Sequence, residues 1–339
     1  MTLPPEGRTQ LTPDLSICRV LNGMWQVSGA HGAIDPSAAI TSMLEHQRAG
    51  FTTWDLADHY GPAEDFIGQF RRELSSTQGR ESLSSIQAFT KWVPRPGPMT
   101  RQLVEQNVDL SLRRMDVPAL DLLQFHWWDY GDARYLDALE HLSALGDEGK
   151  IRHLGLTNFD TEHLKLVVER GIKIVSNQVQ FSLIDRRPEV GMIQFCREHG
   201  IQLLAYGTVC GGLLTSKYLG QPEPSRRELT TASLGKYKQM VDAWGGWELF
   251  QELLNALQDI AAEKRVSIAN VAVKYVLDRP AVAGAILGVR LGASDHLADN
   301  ARAFDVTLES EDYDRLESVL GRATDLYHII GDCGDEYRR

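Results

Sequence analysis

Several predicted strands of this sequence end in polar side chains that could together protonate an oxygen atom. Asp55 and Tyr60 lie where a short apolar run gives way to a helix that begins near Pro62. Lys91 and His126 each follow a further apolar run. Polar residues at the ends of buried parallel strands meet at one edge of the sheet, so we expect these four side chains to lie together.

These residue types suit the protonation of an oxygen on which negative charge develops. A tyrosine with the ordinary pKa of roughly 10 is a poor acid at neutral pH. An ammonium about 4 Å away stabilises a phenolate by roughly 4 kcal/mol at an effective dielectric constant of about 20, which corresponds to roughly 3 pKa units. We therefore expect Lys91 to lower the pKa of Tyr60, Asp55 to hold the ammonium, and His126 to orient a carbonyl oxygen.

Carbonyl reduction also needs a reductant, and residues at other strand ends suggest one. Thr157, Asn158 and Gln178 offer hydroxyl and amide groups that could bind a carboxamide. Tyr206 offers a flat face on which a ring can stack. These features predict a nicotinamide ring at the same edge of the sheet.

Two further segments could bind the phosphates of a dinucleotide. Residues 207–213 form a glycine-containing loop, and Lys217 follows it closely. Gly288 and Arg290 precede a predicted helix, where a phosphate can meet backbone N–H groups and a guanidinium. The arginine favours NADP(H), whose 2′-phosphate it could bind.

The elements that must position these residues alternate between strand and helix. Eight such units predict a parallel sheet closed as a (β/α)8 TIM barrel in a single domain over residues 1–339. No G-x-G-x-x-G follows the first strand, which argues against a Rossmann domain. The predicted strands span residues 19–25, 51–55, 85–90, 120–125, 152–156, 174–178, 201–205 and 282–287.

Segments after the seventh predicted strand are less regular. Residues 206–246 predict a long loop with only short pieces of structure. Helices are predicted at residues 294–304 and 310–320, the latter an extra C-terminal helix. The polar tail, residues 321–339, is assigned to no element.

Composition limits the partners and the compartment. Asp and Glu outnumber Lys and Arg by 46 to 35, giving a net charge of −11, which argues against nucleic acid or an anionic membrane as main partner. The four cysteines are scattered and suit free thiols in a reducing compartment. No apolar run is long enough to span a bilayer, and the N-terminus lacks a signal-peptide core. We expect a cytoplasmic protein that acts on a small molecule.

Long ordered motifs resemble those of the aldo-keto reductase family from about residue 20 to residue 304. The D-T-A-x-x-Y-G segment of the family is similar to FTTWDLADHYG at residues 51–61. Its D-L-x-x-x-H-W is similar to DLLQFHW at residues 121–127, and its G-K-I-R-x-I-G-V-S-N-F is similar to GKIRHLGLTNF at residues 149–159. Asn177-Gln178-Val179 and Ala205-Tyr206 also fit its patterns.

The resemblance implies a catalytic tetrad of Asp55, Tyr60, Lys91 and His126, with Tyr60 as the acid. It also implies a larger set of residues that bind NADP(H). These are Gly23, Met24, Trp25, Asp55, Thr157, Asn158, Gln178, Tyr206, Gly207, Thr208, Val209, Gly211, Leu213, Lys217, Gly288, Arg290, His296 and Asn300.

The substrate is not determined by the sequence. Trp25, Trp92, Trp127 and Trp128 cluster near predicted strand ends and are candidates for the pocket wall. Aromatic walls suit aromatic aldehydes, quinone-like ketones and sugars alike. The leading hypothesis is NADPH-dependent reduction of aldehydes or ketones to alcohols.

Three alternatives to this hypothesis stay open. The same residues could serve a sugar or alcohol dehydrogenase that works in the reverse direction, or a nucleotide-binding regulatory subunit of a membrane channel. A metal-dependent barrel hydrolase is the weakest alternative, because the sequence has neither H-x-H nor H-E-x-x-H, and we expect no metal.

Overall fold

Eight parallel strands close into a barrel, as the sequence predicted. The computed structural model describes residues 2–29, 32, 34–293 and 296–338. Strand order around the barrel follows the chain, and the last strand pairs with the first. The barrel strands are β3 (Val20–Gly23), β4 (Thr53–Asp55), β5 (Gln87–Trp92), β6 (Leu122–Phe125), β7 (Leu154–Thr157), β8 (Ser176–Gln180), β9 (Gln202–Tyr206) and β10 (Val282–Gly288).

A hairpin that the sequence analysis did not assign covers the N-terminal end of the barrel. It consists of β1 (Arg8–Thr12) and β2 (Leu15–Cys18), which pair antiparallel. Leu11, Leu15 and Ile17 pack in one buried cluster with side chains of the barrel strands. Because the hairpin closes this end, the open mouth of the barrel lies at the carboxyl ends of the strands.

Helices surround the barrel and alternate with its strands, as the sequence predicted. Thr100 accepts a hydrogen bond from the backbone N–H of Leu103 and so caps α3. The helices up to β9 are α1 (Pro36–Arg48), α2 (Ala63–Gln78), α3 (Arg101–Met115), α4 (Tyr135–Asp147), α5 (Thr161–Glu169) and α6 (Met192–His199).

The segment after β9 is more ordered than expected. Its second half forms α7 (Ala232–Trp244), which Thr231 caps by accepting from the backbone N–H of Leu234. Gly235 and the polar residues before the helix mask its apolar spacing in the sequence. The remaining helices are α8 (Gly246–Lys264), α9 (Ile268–Leu277), α10 (Leu297–Ala301), α11 (Ser310–Leu320) and α12 (Leu326–Ile330). Residues 294 and 295 of the predicted helix 294–304 lie outside the described residues.

The C-terminal tail, residues 331–338, returns to the mouth of the barrel. Arg338 donates hydrogen bonds to the backbone carbonyls of Trp127 at 2.9 Å and Asn158 at 2.7 Å. Its guanidinium lies 3.9 Å from the ring centroid of Tyr130. The tail is therefore packed against the barrel beside the carboxyl ends of β6 and β7.

In the described part of the chain, no helix is both long and apolar enough to cross a membrane. All four cysteines are buried and unpaired.

Candidate active site

The four predicted proton-transfer residues lie around one cavity at the mouth of the barrel. Asp55 and Lys91 stand near the carboxyl ends of β4 and β5, and His126 follows β6 directly. Lys91 Nζ donates to Asp55 Oδ2 at 2.6 Å and to the Leu56 carbonyl at 3.0 Å. The same ammonium lies 5.2 Å from the ring centroid of Tyr60.

Two amide side chains fix the other oxygen of Asp55. Gln124 and Gln178 donate to Asp55 Oδ1 at 2.9 and 2.7 Å, and Gln178 also donates to Gln124 Oε1 at 2.7 Å. Sequence analysis missed Gln124. The alternation of side chains along a strand indicates it, because Gln124 precedes His126 by two positions and so lies on the same face.

The expected lowering of the Tyr60 pKa is wrong. Burial raises the pKa of the Tyr60 phenol well above 10, and the carboxylate of Asp55 and the hydroxyl of Tyr337 act in the same direction. The Lys91 ammonium does not outweigh burial, because it is directed at Asp55 and its charge is balanced there. Tyr60 therefore carries its proton at neutral pH, as a proton donor must.

His126 is neutral and presents a hydrogen-bond acceptor to the cavity. Its Nδ1 lies 3.2 Å from the carbonyl oxygen of Thr157, which can only accept, so Nδ1 carries the proton. Burial lowers the pKa of His126 from 6.5 to about 4. Its Nε2 is buried and has no hydrogen-bond partner among the described residues. This lone pair can accept from a hydroxyl group placed in the cavity.

The cavity has a volume of about 240 Å³ and includes most of the residues predicted to bind the cofactor. Met24 and Leu213 are instead buried in the core, Lys217, Arg290 and His296 are exposed, and Asn300 is half-buried. None of these six lines the cavity, so any contact they make with a dinucleotide lies outside it. The lining residues from the predicted set are Gly23, Trp25, Asp55, Thr157, Asn158, Gln178, Tyr206, Gly207, Thr208, Val209, Gly211 and Gly288.

Hydrogen bonds already orient the residues expected around a nicotinamide ring. The Tyr206 hydroxyl donates to Asn158 Oδ1 at 2.8 Å. Asn158 is one of the few residues other than glycine with a positive φ, +58°, which turns its side chain sharply after β7. Gln178 donates from its Nε2 to Asp55 and Gln124, so its carbonyl oxygen is the group that can accept from a carboxamide.

Polar atoms without partners support the fit of a dinucleotide here. Gln26 Oε1 and Thr208 Oγ1 line the cavity, are buried, and have no hydrogen-bond partner within the described ranges. Buried polar atoms normally have partners, so a polar ligand is expected to complete them.

The glycine-containing loop lies directly under α7. A Cβ on Gly207 would lie 2.6 Å from the Tyr237 hydroxyl, and a Cβ on Gly211 would lie 3.0 Å from Ser233 Cβ. Both glycines have positive φ, +75° and +66°. Glycine at these positions lets the loop pack closely against α7.

Sequence analysis missed four cavity residues that come from elements it did not assign. Ser233, Lys236 and Tyr237 belong to α7, and Tyr337 belongs to the C-terminal tail. The Tyr337 hydroxyl lies 3.2 Å from the Tyr206 hydroxyl. No sequence pattern indicated that either segment reaches the barrel mouth.

Of the four tryptophans considered for the substrate pocket, Trp25 and Trp128 line the cavity. Trp128 is 39% exposed and its ring packs edge-on against His126. The structure places Trp92 and Trp127 in the hydrophobic core instead, where Trp127 donates to the backbone carbonyls of Asp129 and Asp132. Within the described residues, no three His, Cys, Asp or Glu side chains group as metal ligands.

Comparisons with known proteins agree with this fold. The model of the aldo/keto reductase family matches residues 19–320. The NADH-specific methylglyoxal reductase of Escherichia coli is 24% identical over 324 residues, covering 89% of this chain and 94% of that protein. Flagellar radial spoke protein 5 of Chlamydomonas reinhardtii is 32% identical over 257 residues, and the match spans 66% of this chain but only 49% of that protein. The glycerol dehydrogenase of Gluconobacter oxydans has the same fold, with a TM-score of 0.76, 23% identity, and coverage of 94% of this chain and 96% of that one.

Fold and comparisons together define a barrel oxidoreductase that takes a nicotinamide cofactor. The chain belongs to the aldo/keto reductase family. Its general chemistry is the interconversion of carbonyl and alcohol groups.

Proposed function

We propose that this protein reduces aldehydes or ketones to alcohols with NADPH, and that Tyr60 is the general acid. The observation that carries the proposal is the buried ion pair of Asp55 and Lys91 beside the Tyr60 ring at the mouth of the barrel. A buried ion pair costs desolvation free energy, so it is weak evidence for a role in stability. Because this pair lies beside a phenol in a cavity, we infer that it has a role in proton transfer.

The proposed roles follow from the hydrogen bonds. Gln124 and Gln178 fix Asp55, and Asp55 fixes the Lys91 ammonium. Burial lowers the pKa of Lys91, and the carboxylate of Asp55 opposes this, so the pair keeps a cation in the core. Tyr60 gives its proton to the carbonyl oxygen, and the ammonium stabilises the negative charge left on the phenol oxygen.

A reduced nicotinamide dinucleotide supplies a hydride for the carbonyl carbon when it is bound. In this proposal Thr157, Asn158 and Gln178 bind its carboxamide, and Tyr206 stacks on its ring. The loop from Gly207 to Gly211 lies along its phosphates.

Replacement of Tyr60 by phenylalanine tests the acid role. We expect Tyr60→Phe to abolish NADPH oxidation with a panel of aldehydes and ketones, because it removes the hydroxyl of the ring that lies beside the Lys91 ammonium. The Kd for NADPH, measured by fluorescence titration, should stay within about threefold of wild type, since the Tyr60 hydroxyl contributes only a small part of the total free energy of NADPH binding. Full activity in Tyr60→Phe would contradict the assignment. Tight NADPH binding by the wild type without turnover would favour the regulatory subunit.

The proposed preference for NADPH over NADH depends on Arg290, which follows β10 and is exposed. An exposed guanidinium can meet the 2′-phosphate that distinguishes NADPH from NADH. Arg290→Ala should therefore raise the Kd for NADPH by about tenfold and leave the Kd for NADH almost unchanged, since a hydrogen bond to a charged group contributes roughly 1.5 kcal/mol. Equal weakening of both cofactors would show that Arg290 does not bind this phosphate.

The geometry of His126 favours the reverse reaction as a second candidate. Its free Nε2 accepts a hydrogen bond, and an alcohol can donate one whereas a carbonyl cannot. Rates measured in both directions with one alcohol and carbonyl pair would decide between the candidates. We also propose that the chain works as one domain in the cytoplasm, where its four buried thiols stay reduced.

A further inference from the structure

Lys236 places a positive charge at the mouth of the cavity without a carboxylate beside it. Its Nζ lies 4.9, 5.4 and 4.7 Å from the ring centroids of Tyr206, Tyr237 and Tyr337. Its one hydrogen bond to a described residue goes to the Tyr337 hydroxyl at 2.5 Å. Lys238, two positions further along α7, contrasts with it, because Glu223 and Asp242 both pair with Lys238.

Glu336 attracts the Lys236 ammonium, which helps to lower the pKa of Glu336, but its carboxylate forms its ion pair with Arg187 and not with Lys236. Glu336 pairs with the buried guanidinium of Arg187 at 2.8 Å, and Arg187 also pairs with the buried Asp185. An ammonium has three N–H donors, and Lys236 uses one of them on Tyr337. The other two are available to a ligand in the cavity that Lys236 lines.

The hydroxyl beside Lys236 is held in a fixed position. Arg338 anchors the next residue of the tail by donating to two backbone carbonyls. Because Tyr206 donates to Asn158 and Lys236 donates to Tyr337, the Tyr337 hydroxyl donates to Tyr206. The Lys236 ammonium is thereby kept at one place, among three aromatic rings on a half-buried side chain.

This cation lies between the proposed reaction centre and the ring expected to stack on the nicotinamide. The ring of Tyr337, whose hydroxyl accepts from Lys236, lies 6.1 Å from the His126 ring, centroid to centroid. The residues of α7 that press on the glycine-containing loop are Ser233 and Tyr237 instead. Because the Tyr237 ring also lies 5.4 Å from the Lys236 ammonium, a measured Kd for NADPH has to separate a substrate role of Lys236 from a cofactor role.

We propose that Lys236 and the Tyr337 hydroxyl form a subsite for an anionic group, and that the carbonyl substrates of this protein carry a carboxylate or a phosphate. The proposal rests on the proposed reductase function, because it assigns the substrate class to that same site. No part of it depends on the net charge of the chain, which is −11 and repels anions at long range.

Paired substrates that differ only in charge test the subsite. We would measure kcat/KM for 4-oxobutanoate against its methyl ester, and for glyceraldehyde 3-phosphate against glyceraldehyde. The variants are Lys236→Met, which removes the charge at similar length, and Lys236→Arg, which keeps it. We expect Lys236→Met to lower the ratio of kcat/KM for the charged substrate to kcat/KM for the neutral one by about 10- to 100-fold in at least one pair, as for a lost charged hydrogen bond. Lys236→Arg should lower this ratio less than Lys236→Met does.

The matched control is Lys165→Met, on the outer surface of α5 with 60% of its side chain exposed. It removes the same charge from the protein and should leave both ratios unchanged. Thermal unfolding of each variant checks that Lys236→Met folds. Unchanged ratios in both pairs for Lys236→Met would overturn the proposal.

Two further measurements distinguish a lost substrate contact from a lost cofactor contact as the cause of a changed kcat/KM ratio. The Kd of Lys236→Met for NADPH should match wild type, and a large change in either direction would overturn the proposal by assigning Lys236 to the cofactor. Calorimetric titration of 4-oxobutanoate and its ester into the protein with NADP⁺ needs no turnover. If the wild type reduces none of the four carbonyls, the proposed function fails, whereas the subsite still stands or falls on whether Lys236→Met selectively weakens binding of the charged ligand.

Discussion

At the scale of single residues, His126 illustrates how a backbone carbonyl decides the chemistry of a side chain. The Thr157 carbonyl fixes the proton on Nδ1, and burial keeps the ring neutral. Tyr60 likewise keeps its proton because its phenol is buried near the Asp55 carboxylate. Both side chains therefore stay in one protonation state across the neutral range, whereas a free histidine titrates near its lower edge, at a pKa of roughly 6.5.

The shifted pKa of His126 predicts a pH-dependent loss of stability. An unfolded chain binds a proton at His126 below about pH 6.5, whereas the native chain binds it only near pH 4, so the free energy of unfolding falls as the pH falls between these values. From pH 7 to pH 5 this single group should cost about 2 kcal/mol. Urea unfolding at pH 7 and pH 5, with His126→Gln as the comparison, measures the contribution of His126 to this loss of unfolding free energy. An equal loss in wild type and variant would show that another group is responsible.

At the scale of elements, the C-terminal tail becomes part of the site through one glycine. Gly334 has a φ of +89°, and a Cβ there would lie 2.0 Å from the backbone carbonyl oxygen of Asn158. Only glycine permits this approach. The tail then places Glu336 on Arg187, Tyr337 in the cavity, and Arg338 on the barrel backbone.

Replacement of Gly334 by alanine should detach the tail from the barrel mouth. Gly171→Ala is the matched control, because Gly171 also has a positive φ, +78°, but an added Cβ would meet nothing within 4 Å. The control should lose only about 1 kcal/mol of unfolding free energy from backbone strain. Hydrogen exchange of residues 332–338 should become fast in Gly334→Ala alone. Equal protection in both variants would contradict the role of this close approach.

At the scale of the whole molecule, folding buries every cysteine, including Cys18 in the hairpin and Cys333 in the C-terminal tail. Burial raises the pKa of the Cys196 and Cys210 thiols to about 12, and it raises the pKa of Cys333 well above its usual value. Cys210 adopts a φ of +50° in the loop under α7, where its thiol is inaccessible. Such thiols are poor nucleophiles, so the cysteines act as small apolar residues.

A thiol titration checks the burial of all four cysteines at once. We expect the native protein to react with none of its thiols on the time scale of minutes at pH 8, and the protein unfolded in guanidinium to react with all four. Gly334→Ala should expose one thiol, that of Cys333, because this residue is buried in the tail next to the substituted glycine. Rapid reaction of several thiols in the wild type would contradict the packing described above.

The sequence by itself determined the barrel, its eight strands, and the side chains at their ends. These follow from local features: apolar runs form buried strands, and the polar residue after each run lies at the same mouth. Helix boundaries such as the Thr100 cap are local in the same sense. The hairpin below the barrel and α7 were missed because their short or interrupted apolar patterns carry too little local signal.

Only the tertiary structure decided how the site is completed and which protonation states it holds. Lys236 and Tyr337 touch although 101 positions separate them, and Gln124 and Gln178 meet on Asp55 from different strands. Contacts of this kind depend on how distant segments fold over one another, which no local pattern records. The pKa values of Tyr60 and His126 depend on burial as well as residue type, so they too were fixed only when the chain closed around them.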